Sequence, residues 1–443
     1  MKIMIQHKRI LIPGFIMPAI CLLFVLLSAG NAFAANDADI SFTTTPTIKS
    51  ALFKGGSRIT YNVDINNPLD TVEAGKITYR VTTERGKFLD EDSVKISVGS
   101  KSTKHLEISM PPQETGFFKL MVIINVTDYD DTTLLAFGVD PEKIHSQYAK
   151  PADFDQFWAN TKAELAKVAP DFKLTYLPDS SRENRKAYLF EFKSLDNLTV
   201  RGYMTVPINP NPHHKFAVIF QVPPYQVPLL PMFGSDPDVA IVSVNVRGQG
   251  NSRDVIHTTH DDYIFYHIED RNKYVMRGAI MDCLRTVDFI FTQPELDHSK
   301  IMVVGGSMGG FLAIATASLD KRIKICSSQN PILSDVRNMH GEAEWPLNVI
   351  TRYVATKPGV TLEKVLNNLD YYDTKNFAEN VDCTTLIGIG LLDNLVPPNH
   401  AYVVYNNLHG DKHMISFPNL GHEVGMPYKV YESRWMHDTF ALF

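Results

Sequence analysis

Cysteine is scarce in this chain, with four in 443 residues. Cys21 lies in an N-terminal apolar run, and Cys283, Cys326 and Cys383 stand far apart in apolar surroundings. An odd, scattered set of three excludes a disulfide framework. No C-x-x-C pair offers a metal site either, so buried free thiols are expected. Positive charge is also short: 43 Lys and Arg face 49 Asp and Glu, for a net charge of −6 at pH 7. Without a basic cluster, that deficit excludes nucleic acid as a partner. After residue 34 no apolar run is long enough to span a bilayer. No repeats or low-complexity segments stand out.

What is present begins with an export signature. Lys2, Lys8 and Arg9 precede an apolar stretch over residues 16–27, and Ala32-Phe33-Ala34 has the small-x-small form of a cleavage site. Pro18-Ala19-Ile20 lacks the small residue that should precede a lipid-modified Cys21. Residues 1–34 are therefore expected to be a signal peptide, removed from a soluble product that is secreted or periplasmic and has no membrane span. They hold three basic residues and no acidic one, so the remainder is more acidic still. Its length suits two domains.

Residues 35–140 read as β throughout. Arg58-Ile59-Thr60-Tyr61-Asn62-Val63-Asp64-Ile65 alternates apolar and polar side chains, as do residues 76–81 and 117–124. Asn66-Asn67-Pro68 and Pro111-Pro112 mark turns between such runs. This pattern predicts a small immunoglobulin-like β-sandwich. Containing no cysteine, it must be held by its hydrophobic core alone. Residues 141–443 follow another period. Pro151 opens a helix whose Phe154, Phe157, Trp158, Thr161 and Leu165 share one face. Strands expected at 187–192, 202–206, 217–221, 240–246, 301–304, 385–389 and 414–417 alternate with helices such as 277–291 and 311–319. That alternation predicts an α/β fold with a mostly parallel sheet. Between about 331 and 381 the pattern breaks into short segments carrying Trp345, Pro346 and Tyr371-Tyr372, which predicts an insertion over the strand ends.

Gly305-Gly306-Ser307-Met308-Gly309-Gly310 carries the sharpest chemical signal. It follows Ile301-Met302-Val303-Val304 and precedes a small-residue helical pattern, the strand–turn–helix setting of a G-x-S-x-G elbow. Strand and helix pass so close at such a turn that side chains two positions either side of the serine do not fit, hence Gly305 and Gly309. A serine hydroxyl is a weak nucleophile at neutral pH; it needs a base, and the base needs an orienting acid. In elbow folds these follow in the order Ser, Asp or Glu, His. Asp393 ends the buried-strand pattern Leu386-Ile387-Gly388-Ile389-Gly390-Leu391-Leu392, and His422 stands between Gly421 and Glu423 after Ile415-Ser416-Phe417. Active groups of open α/β sheets collect beyond the carboxyl ends of strands, where Ser307, Asp393 and His422 are expected to meet. His340, His400, His409 and His413 are rival bases, but none follows a strand directly with glycine beside it. Asp370, Asp373 and Asp382 suit helix caps or solvated loops better. His213-His214, and His257 with His260 near Asp261, lack the spacing of a metal site. No metal or other cofactor is expected.

Three of these pieces resemble the signatures of carbohydrate esterase family seven, the acetyl xylan esterase / cephalosporin C deacetylase enzymes. They are Arg247-Gly248-Gln249, Gly305-Gly306-Ser307-Met308-Gly309 and His422-Glu423. Asp153-Phe154-Asp155-Gln156-Phe157-Trp158 and Gly390-Leu391-Leu392-Asp393-Asn394-Leu395-Val396-Pro397-Pro398 support them, and the resemblance runs from about residue 151 to 443. It implies an α/β-hydrolase fold with Ser307 as nucleophile, Asp393 as acid and His422 as base. It also implies an oxyanion hole from the backbone N–H groups of Tyr225 and Met308, with Arg247 and Gln249 bracing the loops around it. Glu423 either supports His422 or is solvated beside it. The family usually has glutamine where this chain has Met308. The oxyanion donor is main-chain, so this exchange is expected to alter pocket polarity, loop bracing and substrate preference rather than catalysis. Compact family members lack the β-rich N-terminal region, whose expected role is a spacer or an interface packed on the catalytic part. The family also implies a homo-oligomer, which the extra region could block or redirect.

These readings describe an exported serine esterase that removes acetyl groups from carbohydrate esters through an acyl-serine. Acetylated xylan, xylo-oligosaccharides and cephalosporin C-like esters are the substrates the resemblance implies. Two alternatives stay open. One is a serine peptidase of the prolyl oligopeptidase type, disfavoured because no propeller-sized N-terminal region precedes the elbow. The other is a catalytically inactive carbohydrate-binding surface protein, disfavoured because the sandwich strands show no obvious aromatic platform.

Overall fold

The computed structural model describes residues 39–341 and 343–442; the expected signal peptide lies outside the described residues. Alternation builds the N-terminal region. In the strand Ile59–Asn67, Ile59, Tyr61, Val63 and Ile65 are fully buried. This strand pairs antiparallel with Ser41–Pro46 on one side and Ser102–Met110 on the other. A second sheet runs in the order Leu52–Phe53, Tyr129–Val139, Gly116–Val126, Glu73–Thr83, Phe88–Val98. It is antiparallel apart from its two-residue first strand. The sheets meet through inward side chains such as Phe53 and Tyr61, whose ring centroids are 6.2 Å apart. Each inward aliphatic or phenyl side chain contributes roughly 1.5–3 kcal/mol on burial.

Beyond Pro141 the architecture changes. A nine-stranded sheet has the spatial order Lys412–Phe417, Thr384–Gly390, Ile325–Gln329, Leu296–Gly306, Phe216–Gln221, Val239–Asn245, Thr199–Pro207, Arg185–Lys193, Lys173–Tyr176. The first six strands are parallel to one another, and the last three add antiparallel. This is the mostly parallel α/β sheet that the alternation predicts, and all seven expected strands form with shifted ends. Helix Phe154–Ala166 buries Phe154, Phe157, Trp158, Thr161 and Leu165 as its spacing requires.

Two strands escape the sequence pattern. Lys173–Tyr176 is an exposed edge. Ile325–Gln329 reads Ile-Cys-Ser-Ser-Gln, too polar for a buried run, yet it lies between the strands leading to Ser307 and Asp393. Its Ser327 Oγ lies 2.7 Å from the Tyr428 hydroxyl and also donates to Glu432, both on the helix Gly425–Phe440. With its hydroxyl satisfied, a serine can occupy the core.

Residues 331–381 form the short helices Val336–Met339, Leu347–Ala355, Leu362–Leu369 and Thr374–Ala378. Asp373 caps the last of these, accepting from Lys375 N–H at 3.1 Å. It is not solvated, however: it is buried, takes the N–H groups of Asp335 and Val336 at 2.8 Å each, and burial pushes its carboxyl up to about 6. Cys283 and Cys326 are buried free thiols and Cys383 is half-buried, with burial raising all three. No helix of the described residues is long and apolar enough to cross a membrane.

Candidate active site

The strand Leu296–Gly306 turns into the helix Met308–Leu319 through one residue, Ser307, at φ 59° and ψ −119°. Positive φ in a non-glycine residue stores about 1–3 kcal/mol of strain and persists only where neighbours over-determine it. Here they do. Ser307 N–H donates to the Gln329 carbonyl at 2.8 Å, and its own carbonyl accepts from Phe311 and Ile332. A Cβ on Gly305 would stand 2.4 Å from the Gly309 backbone, and one on Gly309 would stand 2.8 Å from the Val222 carbonyl. The two flanking glycines are therefore a steric requirement of the crossing. At Gly306 the nearest atom would be 3.7 Å away, so that position is free of the constraint.

Asp393 and His422 arrive on neighbouring loops. The chain after Thr384–Gly390 crosses the chain after Lys412–Phe417 so tightly that a Cβ on Gly390 would meet the Gly421 carbonyl at 2.0 Å. Leu391 and Leu392 N–H donate across to the carbonyls of Phe417 and Leu420, both at 2.9 Å. The Asp393 side chain is fully buried, and its two oxygens have separate tasks. Oδ1 accepts from Leu395 and Val396 N–H at 2.8 and 3.0 Å; Oδ2 accepts from His422 Nδ1 at 2.7 Å. A carboxylate on Nδ1 selects the tautomer that leaves Nε2 free to take a proton. His422 is half-buried, with about a fifth of its side chain exposed (21%).

No hydrogen bond joins Ser307 Oγ to His422 among the described residues; the connection runs through Asn330. This residue follows Gln329, the acceptor for Ser307 N–H. Its side-chain amide donates to the His422 carbonyl and its Oδ1 accepts from Gly390 N–H at 3.2 Å. Asn330 is buried at φ 38°, a conformation asparagine tolerates better than most residues. The sequence reading overlooked it. The signal was an asparagine ahead of Pro331, where a strand must stop.

Tyr225 lies just past the strand Phe216–Gln221, near the start of the helix that carries Met308. Its ring packs on Trp345, Tyr263 and His260 at centroid distances of 4.8, 5.8 and 5.5 Å. Its hydroxyl donates to the His260 carbonyl at 2.6 Å, and burial pushes the phenol up to about 12. Met308 N–H, in the first turn of its helix, is one of the donors that a helix start leaves without an intrahelical partner. Gln249 ties the two loops together. Its Oε1 accepts from Gln226 N–H at 2.6 Å, next to Tyr225, and its Nε2 donates to Met308 Sδ at 3.8 Å. Met308 is fully buried, which corrects the expected effect on pocket polarity: the side chain braces a loop and does not line the opening.

Arg247 is buried and clamps the end of the strand Val239–Asn245 to the helix Val275–Ile290. It bonds Asp282 in bidentate fashion at 3.0 and 2.8 Å and reaches Asp196 at 3.1 Å. Burial pulls the guanidinium down, but the Asp282 and Asp196 carboxylates more than offset it, so it is held above its ordinary value. Gly278 makes the space, since a Cβ there would meet the guanidinium at 2.2 Å. Glu423 is exposed, in keeping with the solvated alternative. Among the rivals, His400 is buried 3.6 Å from Asp335, and His413 lies 3.2 Å from Asp411. His214 pairs with Asp238 and His260 with Asp261. No three His, Cys, Asp or Glu side chains of the described residues cluster as a metal centre would.

A family model described as acetyl xylan esterase (AXE1) matches residues 141–439. Acetyl esterase Axe7A of Xylanibacter ruminicola is 24% identical over 437 residues, covering 90% of this chain and 91% of the relative. An acetyl xylan esterase from Paenibacillus sp. R4 superposes with a TM-score of 0.61 at 25% identity, covering 68% of this chain and 98% of its own. Acetyl xylan esterase 1 from Thermoanaerobacterium sp. JW/SL YS485 gives 0.60 at 24% identity, with the same two coverages. The family model and both solved structures leave about a third of this chain unmatched, whereas the match to Axe7A extends over most of it.

Proposed function

Because the chain belongs to the acetyl xylan esterase (AXE1) family and is a carboxylic ester hydrolase, we propose that it frees acetate from acetylated xylan or xylo-oligosaccharides by a serine mechanism. The 2.7 Å bond between His422 and Asp393, on the rim where Ser307 is held at positive φ, carries this reading. Ser307 Oγ attacks the acetyl carbonyl as His422 Nε2 takes its proton, and the backbone N–H groups of Met308 and Tyr225 receive the developing oxyanion. Collapse expels the sugar alcohol, which leaves with the proton from His422 and gives an acetyl-serine. Water, deprotonated by the same imidazole, attacks that ester; the imidazole returns the proton to Ser307 Oγ as the acyl–oxygen bond breaks, and acetate departs. Asp393 keeps the imidazole in the reactive tautomer and stabilises its charged form without taking the proton. Arg247, Gln249 and Asn330 touch no reacting atom; they hold the loops. The basic start, apolar stretch and Ala32-Phe33-Ala34 support export of the chain.

Acetate released from acetylated xylo-oligosaccharide is the direct measurement. Replacing the nucleophile, Ser307→Ala, should lower kcat by about 10⁵-fold or more with the fold intact. Equal rates for the two proteins would discard the mechanism.

A further inference from the structure

The N-terminal sandwich meets the hydrolase sheet at the two loops on which Asp393 and His422 sit. On the first side, Lys119 Nζ lies 3.4 Å from Oδ1 of Asn394, the residue after Asp393. Asn399, in the first turn of the helix Pro398–Asn407, donates to Glu84 Oε2 at 2.5 Å. On the second side, Ala136 N–H donates to the carbonyl of Pro418 at 3.0 Å, in the loop leading to His422. Ser416 Oγ donates to the Ser50 carbonyl, also at 3.0 Å. The rings of Phe117 and Tyr402, 5.2 Å apart, close the same face.

Glu84 is the contact that packing alone does not call for. Its Oε1 is buried, and burial pushes the carboxyl up to about 7 against the opposing pull of His400, Asn399, Lys119 and Arg85. Taking a carboxyl out of water costs stability. What it secures is the start of a helix that has no side-chain cap of its own. The loop between that helix and Asp393 is short, and Asp393 Oδ1 is bonded to two of its N–H groups. Helix start, loop and carboxylate are therefore one mechanical unit.

We propose that the sandwich is a positioning element for the acid–base pair, acting through Glu84 on Asn399 and through Lys119 on Asn394. The proposal rests on the reading of Asp393 and His422 as acid and base. Glu84 and Lys119 are positioning residues: each limits where the Asp393 carboxylate, and with it the imidazole, can sit. Misplacing a catalytic group by about 1 Å costs up to about a hundredfold in rate.

The test uses the full chain and steady-state hydrolysis of an acetyl ester. Glu84→Ala should lower kcat about tenfold while KM stays within about twofold. Glu84→Gln keeps an oxygen for Asn399 and should recover most of the loss. In the alanine variant the downfield proton resonance of His422 Nδ1 should also move. Arg80→Ala, which removes a pair with Glu91 inside the sandwich, should leave kcat unchanged. Wild-type kcat in Glu84→Ala, or a loss matching only the unfolded fraction seen by circular dichroism, overturns the proposal. Should Glu84→Ala not fold, Lys119→Ala is judged by the same split of kcat from KM. His422→Ala separates the two ideas: activity there would sink the acid–base assignment itself, whereas inactivity there with wild-type kcat in Glu84→Ala sinks the positioning role alone.

Discussion

In the sandwich the decisive residues are large: Tyr61, Ile65, Ile124 and Phe137 fill the space between two sheets and are wholly buried. At the carboxyl rim of the nine-stranded sheet they are small. Gly305, Gly309 and Gly390 let backbones cross at distances no side chain allows, and Asn330, Gln249 and Asp393 then lock the crossings with hydrogen bonds. A core of the first kind tolerates exchange of one apolar residue for another of similar volume. A rim of the second kind does not, because each polar side chain satisfies two or three specific partners and each glycine excludes a clash. Strain such as that at Ser307 is affordable only where the surrounding sheet is rigid.

The largest effect that would sharpen this contrast after loss of Ser307 is Asp393→Asn. Asparagine keeps the volume but favours the wrong imidazole tautomer, so kcat should fall about 10⁴-fold; steady-state kinetics on a folded variant decide it. Next comes Gly305→Ala, whose Cβ meets backbone, expected to cost about 1–3 kcal/mol or more in urea denaturation. Gly306→Ala, one residue on, should cost far less, and equal losses would refute the crossing argument. A smaller effect lies at the seam between the regions. Folded Glu84 holds its proton up to about 7, while unfolded it releases it near the ordinary 4.5. Between those values the folded state binds more protons, so stability falls as pH rises through the window. Thermal midpoints measured from about pH 5 to 7 should therefore slope down less in Glu84→Gln than in wild type; identical slopes would break the case for a buried acid, with His400, Lys119 and Arg85 around it. The smallest change belongs to Met308→Gln. The oxyanion donor we propose at Met308 is main-chain, so kcat should stay within about threefold, and a large shift in kcat would show that the buried side chain governs the loop.

Much of the rim was legible because its rules are local. A strand, a glycine-flanked serine and a small-residue helix form a steric statement within a few residues, and Asp393 and His422 each follow a recognisable strand. Ile325–Gln329 was not legible, because its buried Ser327 is satisfied by Tyr428 and Glu432 about a hundred residues away. Asn330 looked like a turn residue ahead of a proline. The role of Met308 was hidden as well: a methionine beside Ser307 reads equally as lining or as core, and only its contact with Gln249 decides.

By itself the sequence determined the two architectures, the order of the chemical residues and the place of the strained turn. Periodicity and backbone sterics act over a few positions and need no distant partner. Only the tertiary structure decided which polar groups are buried and satisfied, how Asn330 links the loops of Ser307, Asp393 and His422, and that the sandwich meets the Asp393 loop through Glu84 and Lys119 and the His422 loop through Ala136 and Ser50. Those outcomes depend on desolvation and on partners brought together from remote parts of the chain.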